Sequence, residues 1–419
     1  RKESSAASDV YKRQGEYSMH YIDARRARLN NILLIAGIIF IAFNLRPAIT
    51  SVGPLISSIR SDMDLTNGMA GFLTTLPLLS FAVLSPIAPK LGQKLGNERT
   101  LWVGLVILLI GILLRSYGEA FTLFAGTALI GVGIAISNVL LPSLIKHKFP
   151  DKAGIMTSYY TTAMSIFAAL ASGISIPLSH GLAWGWSASL MVWAGLAFVA
   201  ILIWVPQLRY HDTGNRTVSL KTGGQTVWRS KIAWQVTFFM GIQSFLFYCT
   251  IAWLPEILRS HGMSMSLAGW MLSLMQFASL PSTFLTPVLA GRFRNQKSIV
   301  LALGILYLAG MSGLLYGGNT AMLTLWVILI GIGQGSSISL ALTLIGLRSE
   351  NADQAAALSG MSQSAGYLLA AIGPSFVGFL YDHMHSWNGP ILLFIGALVA
   401  LIGAGLGAGR NQYIYAKAA

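Results

Sequence analysis

The chain has 419 residues, of which 54% are hydrophobic and only 10% charged, with a mean hydropathy of +0.64. This composition excludes a soluble globule of that length and describes a polytopic membrane protein. The formal net charge of +14 raises nucleic acid as a partner, but the Lys and Arg residues alternate by loop, as a membrane topology requires, and no nucleic acid is expected.

In chain order, residues 1–18 are polar, lack an initiator Met and look unlike the rest, so Met19 is the expected start and residues 1–30 form a tail. No secretory signal is expected, because the apolar run from Ile32 is too long for an h-region. Windows of about 20 residues, enough to cross a ~30 Å hydrocarbon core, predict helices over 31–58, 69–91, 100–117, 120–145, 154–179 and 184–206. After a polar linker over 207–231 come six more, over 232–258, 266–290, 298–317, 320–347, 355–380 and 388–408, and then a tail over 410–419. The expected architecture is all-α: two pseudo-symmetric six-helix bundles, 31–206 and 232–409.

Of the 28 Lys and Arg residues, 24 fall in the tails, the linker and the loops of one face, and the opposite face has Arg60, Arg115 and Arg259. Both tails and the linker are therefore expected in the cytoplasm, and the basic excess reads as topology and contact with lipid headgroups. A single cysteine, Cys249, excludes an internal disulfide and reads as a small packing residue.

An internal repeat at an offset of about 200 residues joins the halves. Gly131-Val132-Gly133-Ile134 parallels Gly331-Ile332-Gly333-Gln334, Leu144-Ile145 parallels Leu344-Ile345, and Ile59-Arg60-Ser61 parallels Leu258-Arg259-Ser260. Parallel halves of this kind are associated with transporters whose solute sits between them near the midplane.

Arg46 is the one charged side chain well inside an apolar segment, about 22 Å along the first helix at 1.5 Å per residue. All 14 acidic residues fall in tails, loops or helix ends, so none is placed to neutralise it. An arginine at mid-helix costs on the order of 3 kcal/mol and faces a pathway or the bundle interior. One reading makes the solute its missing partner, since the guanidinium fork suits an anion. The other has Arg46 snorkel to the interface or hold backbone carbonyls in a static contact. Pro47 removes a backbone donor and predicts a kink beside it. Asn44, Asn138, Tyr159, Tyr160, Gln243, Tyr248, Gln276, Gln334, Gln363 and Tyr367 are further candidates to line a pocket, each also readable as a structural bridge between helices.

The glycine run Gly403 to Gly409 lies in the last apolar span with no strand before it, so it reads as two GxxxG packing spacings and not as a nucleotide loop. All seven histidines sit in loops, tails or near helix ends, and no HExxH, GxSxG or phosphate-binding loop is present. No enzyme activity, cofactor or metal is expected.

Several stretches resemble the cyanate-permease family of the major facilitator superfamily, which also includes exporters of 2-nitroimidazole. They are Leu45-Arg46-Pro47 through Val52-Gly53-Pro54-Leu55, Thr74-Thr75-Leu76-Pro77-Leu78-Leu79, Asn138-Val139-Leu140-Leu141-Pro142, Trp253-Leu254-Pro255 and Ala356-Ala357-Leu358-Ser359-Gly360-Met361, within a likeness running from about residue 30 to 410. The resemblance implies two six-helix bundles, alternating access and a bacterial inner-membrane location. The superfamily's loop between the second and third helices usually reads G-x-x-x-D-R-x-G-R, and here it is Gly92-Gln93-Lys94-Leu95-Gly96 in its middle, with Gln93 in place of the acid. Lys94 and Gly96, with Arg292 in the second half, are the candidate conformational-loop residues. The expected function is secondary active transport of a small anionic or strongly polar, cyanate-like solute by a monomer. Export of nitroimidazole-like drugs is the alternative within transport, and a non-transporting membrane sensor or scaffold the alternative outside it.

Overall fold

The computed structural model describes residues 30–149, 153–209, 227–350 and 352–414. The expectations for the N-terminal tail with Met19, for most of the 207–231 linker and for the end of the C-terminal tail lie outside the described residues. Twelve helices among the described residues are long and apolar enough to cross a membrane. They are α1 (Asn30–Thr50), α2 (Asn67–Leu84), α3 (Asn97–Arg115), α4 (Ala120–Lys148), α5 (Ala153–Ile176) and α6 (Gly185–Trp204) in the first half. The second half holds α7 (Lys231–Ser260), α8 (Met265–Arg292), α9 (Lys297–Tyr316), α10 (Thr320–Leu347), α11 (Ala352–Met384) and α12 (Asn388–Ala408). No strand occurs among the described residues.

Side-chain caps set several helix starts, because a hydroxyl or amide oxygen takes one of the N–H groups that the first turn leaves unpaired. The Thr66 hydroxyl accepts from Met69 N at 3.2 Å before α2, Ser264 from Leu267 N at 3.3 Å before α8, and Asn319 Oδ1 from Met322 N at 3.0 Å before α10. Two expected helices are shorter or more broken than the hydropathy pattern predicts. The first, read as continuous over 31–58, is interrupted at Leu45–Arg46 and again at Ser51, then continues as a separate helix, Val52–Asp62. Pro47 and Pro54 each lack the N–H that an unbroken helix needs there. The second, read over 69–91, ends at Leu84, and a short amphipathic helix, Ala88–Leu95, follows. Pro86 and Pro89 remove donors across that junction.

The glycine repeat has the same packing meaning in both halves. Any side chain at Gly131 would collide with Pro77 and Ser80 of α2, and one at Gly331 with the Met275 carbonyl of α8. Gly133 presses on the Gly104 carbonyl of α3, and Gly333 on Tyr307 of α9. So α4 lies against α2 and α3 as α10 lies against α8 and α9, by close backbone approach of small residues. In the last span Gly405 packs on Val300 and Phe239 and Gly407 on Gln235, but Gly403 has open space beside it; only part of the expected GxxxG pattern is a packing face.

The halves meet through α2 with α11, through α5 with α8, and through Val52–Asp62 with α7. Hydrogen bonds across this seam cluster towards the end that carries the 63–66 and 385–387 turns. Asp382 accepts from Asn67 Nδ2 at 2.5 Å, Asn67 N at 3.3 Å and Gly68 N at 3.0 Å. Deeper in, Thr75 Oγ1 donates to the Ala371 carbonyl at 2.7 Å and Ser273 Oγ to the Ala169 carbonyl at 2.5 Å. At the opposite end, which carries the Lys94 and Arg292 loops, Tyr159, Phe284 and Leu285 are exposed. One hydrogen bond crosses the seam towards that end, from Ser364 Oγ of α11 to the Ala82 carbonyl of α2 at 3.4 Å.

Candidate functional site

Where α1 breaks, the chain places Arg46 in a non-helical turn, with φ −123° and ψ −36°. Its carbonyl accepts from Ile49 N at 2.9 Å and Thr50 N at 3.0 Å, so the backbone is fixed while the side chain leaves the helix. Around the break, three backbone carbonyls accept from side-chain donors of neighbouring helices, which suits a low-dielectric interior. Arg115 Nη1 donates to Ala48 O at 2.5 Å, Ser172 Oγ to Thr50 O at 3.3 Å and Ser175 Oγ to Ser51 O at 3.2 Å.

The guanidinium crosses the seam. Its carbon lies 4.6 Å from the ring centroid of Phe247 on α7, a cation–π contact between one half and the other. Tyr160 of α5, Tyr248 of α7 and Tyr367 of α11 are all within electrostatic reach of it. Phe43 stacks on Phe167 at 3.9 Å, and Phe81 meets Tyr367 edge-on at 5.3 Å. Arg46 has no ion pair among the described residues; those present join Lys148 to Glu98 and Arg259 to Glu256. The site is therefore one cation, facing a ring that takes up none of its N–H donors as an oxygen would, among phenols and phenyl rings.

Of the residues the sequence singled out, Arg46 and Tyr248 come together here, with Tyr160 and Tyr367. Asn138, on the α4 wall, is half-buried. Several others have their donors engaged elsewhere. The Asn44 amide donates to Phe40 O at 2.8 Å and Leu196 O at 3.4 Å, tying α1 to α6. Gln276 donates to Ala168 O at 3.2 Å and Ser172 Oγ at 2.9 Å, bridging α8 and α5. Gln243 Nε2 donates to Ser244 Oγ at 2.8 Å, and Gln363 Nε2 to Ser359 Oγ at 2.9 Å. Gln334 is buried in the second half, and Tyr159 is exposed near the start of α5. Lys94 and Arg292 are exposed, and Gly96 adopts φ +88° at the junction before α3. Sequence reading did not find Phe247 or the inward turn of Arg115, which it had placed on the outer face. A phenylalanine in an apolar span carries no signal of the charge it will meet, and a lone Arg at a helix end reads as a loop residue.

A match to the Major Facilitator Superfamily covers residues 32–374 and, again, 236–410. The chain is 68% identical over 388 residues to the uncharacterized transporter YycB of Bacillus subtilis (strain 168), which covers 93% of this chain and 96% of that one. It is 41% identical over 387 residues to a 2-nitroimidazole transporter of Escherichia coli (strain K12), covering 92% and 97% of the two chains. The cyanate transport protein CynX of the same organism is 27% identical over 367 residues, covering 86% and 94%. Among solved structures, a D-xylose-proton symporter shares the fold with a TM-score of 0.72 at 14% identity, over 92% of this chain and 99% of that one. With its twelve spans in two bundles and its interrupted first helix facing the seam, the chain belongs to the major facilitator superfamily of transporters, in the branch that contains the 2-nitroimidazole and cyanate transporters.

Proposed function

We propose that the protein moves a small anionic or strongly polar solute across the bacterial inner membrane by alternating access, with Arg46 as its anchor. The observation that carries this reading is the guanidinium at the seam with no carboxylate paired to it among the described residues. Coulomb attraction at 4 Å and an effective dielectric of 20 is about 4 kcal/mol, enough for a solute anion to become the missing counter-charge. The fork of N–H donors matches two coplanar oxygens and accepts a single small anion equally.

The rings around Arg46 favour a second reading within the same class, a nitroimidazole-like solute. A nitro group offers two coplanar oxygens to the fork while its heteroaromatic ring stacks on Phe247 or the tyrosines, and a relative 41% identical is named for 2-nitroimidazole. Uptake into proteoliposomes of cyanate, formate and neutral 2-nitroimidazole, for wild type, Arg46→Lys and Arg46→Ala, separates the readings. Anion transport is expected to vanish in the alanine variant and to persist in part with lysine, which keeps the charge without the fork. Transport of 2-nitroimidazole alone would support the second reading, and full anion transport by Arg46→Ala would remove the anchor from both.

A further inference from the structure

We infer that Arg115 is a positioning residue for the Arg46 anchor, acting through the broken part of α1; the inference rests on the reading of Arg46 as the solute's anchor. Arg115 is the last residue of α3, where a long cationic side chain ordinarily reaches for water. Instead it is only 1% exposed and turned into the bundle, with one hydrogen-bond partner among the described residues, the Ala48 carbonyl at 2.5 Å. Its Nε and Nη2 atoms are buried without a hydrogen-bond partner among the described residues. A buried guanidinium so poorly matched is a weak device for stability, since an apolar side chain of similar volume often serves as well or better. What it touches explains it better than what it stabilises.

Ala48 lies in the four-residue helix Pro47–Thr50, isolated by the break at Leu45–Arg46 on one side and by Ser51 on the other. This segment is held from two directions. From α5 come the Ser172 and Ser175 hydroxyls on the carbonyls of Thr50 and Ser51, and from α3 comes Arg115 on the carbonyl of Ala48. Arg115 is the only charged donor of the three, and a charge-assisted bond is about twice as strong as a neutral one. Its own backbone is a firm base, because α4 packs there without a side chain: a Cβ at Gly126 would stand 2.3 Å from Arg115 N. The segment in turn carries Arg46, whose carbonyl is bonded to Ile49 N and Thr50 N. A turn of Pro47–Thr50 about its axis therefore swings the Arg46 side chain across the seam, and Arg115 sets where that swing stops.

The test is a double-mutant cycle on KM and kcat for cyanate and 2-nitroimidazole uptake into proteoliposomes, using Arg46→Lys, Arg115→Met and the double variant, with Arg115→Lys as the rescue. Arg115→Met is expected to raise KM about tenfold with kcat within about twofold, and the double variant to be little worse than Arg46→Lys alone. Arg115→Lys, which keeps a charged donor, is expected to return KM to within about threefold of wild type. A wild-type KM in folded Arg115→Met, effects that simply multiply in the double variant, or a fall in kcat alone would each overturn the inference. Should the methionine variant fail to fold, the same cycle is run with Arg115→Gln, which keeps a donor but not the charge. A KM about threefold or more above wild type that does not multiply with Arg46→Lys then supports the inference, and a wild-type KM or full multiplication overturns it. Full activity in Arg46→Ala would instead sink the anchor itself, so the two failures are distinguishable.

Discussion

Among the described residues Arg46 pairs with no acid, and it faces the Phe247 ring 4.6 Å away, which orients the charge without neutralising it. A cation–π contact at a partly exposed site contributes about 0.5–1 kcal/mol. Phe247→Leu is accordingly expected to raise the KM of the transported solute two- to fivefold while leaving the melting temperature close to wild type; an unchanged KM would mean that the ring is only a wall. The charge itself was legible in the sequence, because a lone arginine in a long apolar span with every acid elsewhere has few readings. Its surroundings were not. Tyr160, Tyr248, Tyr367 and Phe247 come from α5, α7 and α11, and nothing in one chain's hydropathy says which faces of those helices turn towards one point. The amides were the least legible: Asn44 and Gln276 are as polar as any ligand-binding residue, yet backbone carbonyls of their own or neighbouring helices take their donors. That outcome depends on which carbonyls the packing brings within reach.

The break in α1 is the element on which the site depends. Pro47 was read as a kink, and the helix is interrupted there. The second break at Ser51 was missed, because Pro54 acts three residues downstream of it by withholding a donor. Pro47→Ala restores the N–H and lets the helix close, so the variant is expected to keep or gain thermal stability while transport falls; transport at the wild-type rate would show that the kink does not place Arg46. Glycines give the complementary case. At Gly331 a Cβ would lie 2.2 Å from the Met275 carbonyl, whereas at Gly403 it meets nothing within 4 Å. Gly331→Ala is expected to destabilise by on the order of 1–3 kcal/mol through overpacking. Gly403→Ala, which gains helix propensity without a clash, is expected to leave the melting temperature unchanged or raised. Equal effects of the two substitutions would contradict the packing assigned to α10. The repeat at an offset of 200 residues foretold this pairing of α4 with α10, because close backbone approach needs the same small residues at the same places in each half.

At the scale of the whole molecule, the two bundles are joined at one end by a carboxylate of one half on the first N–H groups of a helix in the other. Asp382 accepts from the backbone of Asn67 and Gly68, where the dipole of α2 favours a negative charge, and Arg60 donates to Asn67 Oδ1 beside it. For the solute to leave on that side, this contact must part. Cysteines introduced together at Asn67 and Asp382 are expected to stop transport on oxidation and to release it on reduction; undiminished transport in the cross-linked protein would mean that the halves do not separate there. The number of spans, the duplication and the uneven distribution of Lys and Arg were all legible, since membrane thickness and insertion leave a strong mark on composition. Which helices meet across the seam was not, because their faces are all written in the same small and apolar residues.

The central claim is that the solute supplies the counter-charge that Arg46 lacks among the described residues. It is tested most directly by equilibrium binding of radiolabelled solute, cyanate or 2-nitroimidazole, to purified wild type and Arg46→Ala of matched melting temperature. Loss of one attraction worth a few kcal/mol predicts that affinity falls by a hundredfold or more on the order-of-magnitude scale of such contacts. Binding of undiminished strength by the alanine variant would contradict the account.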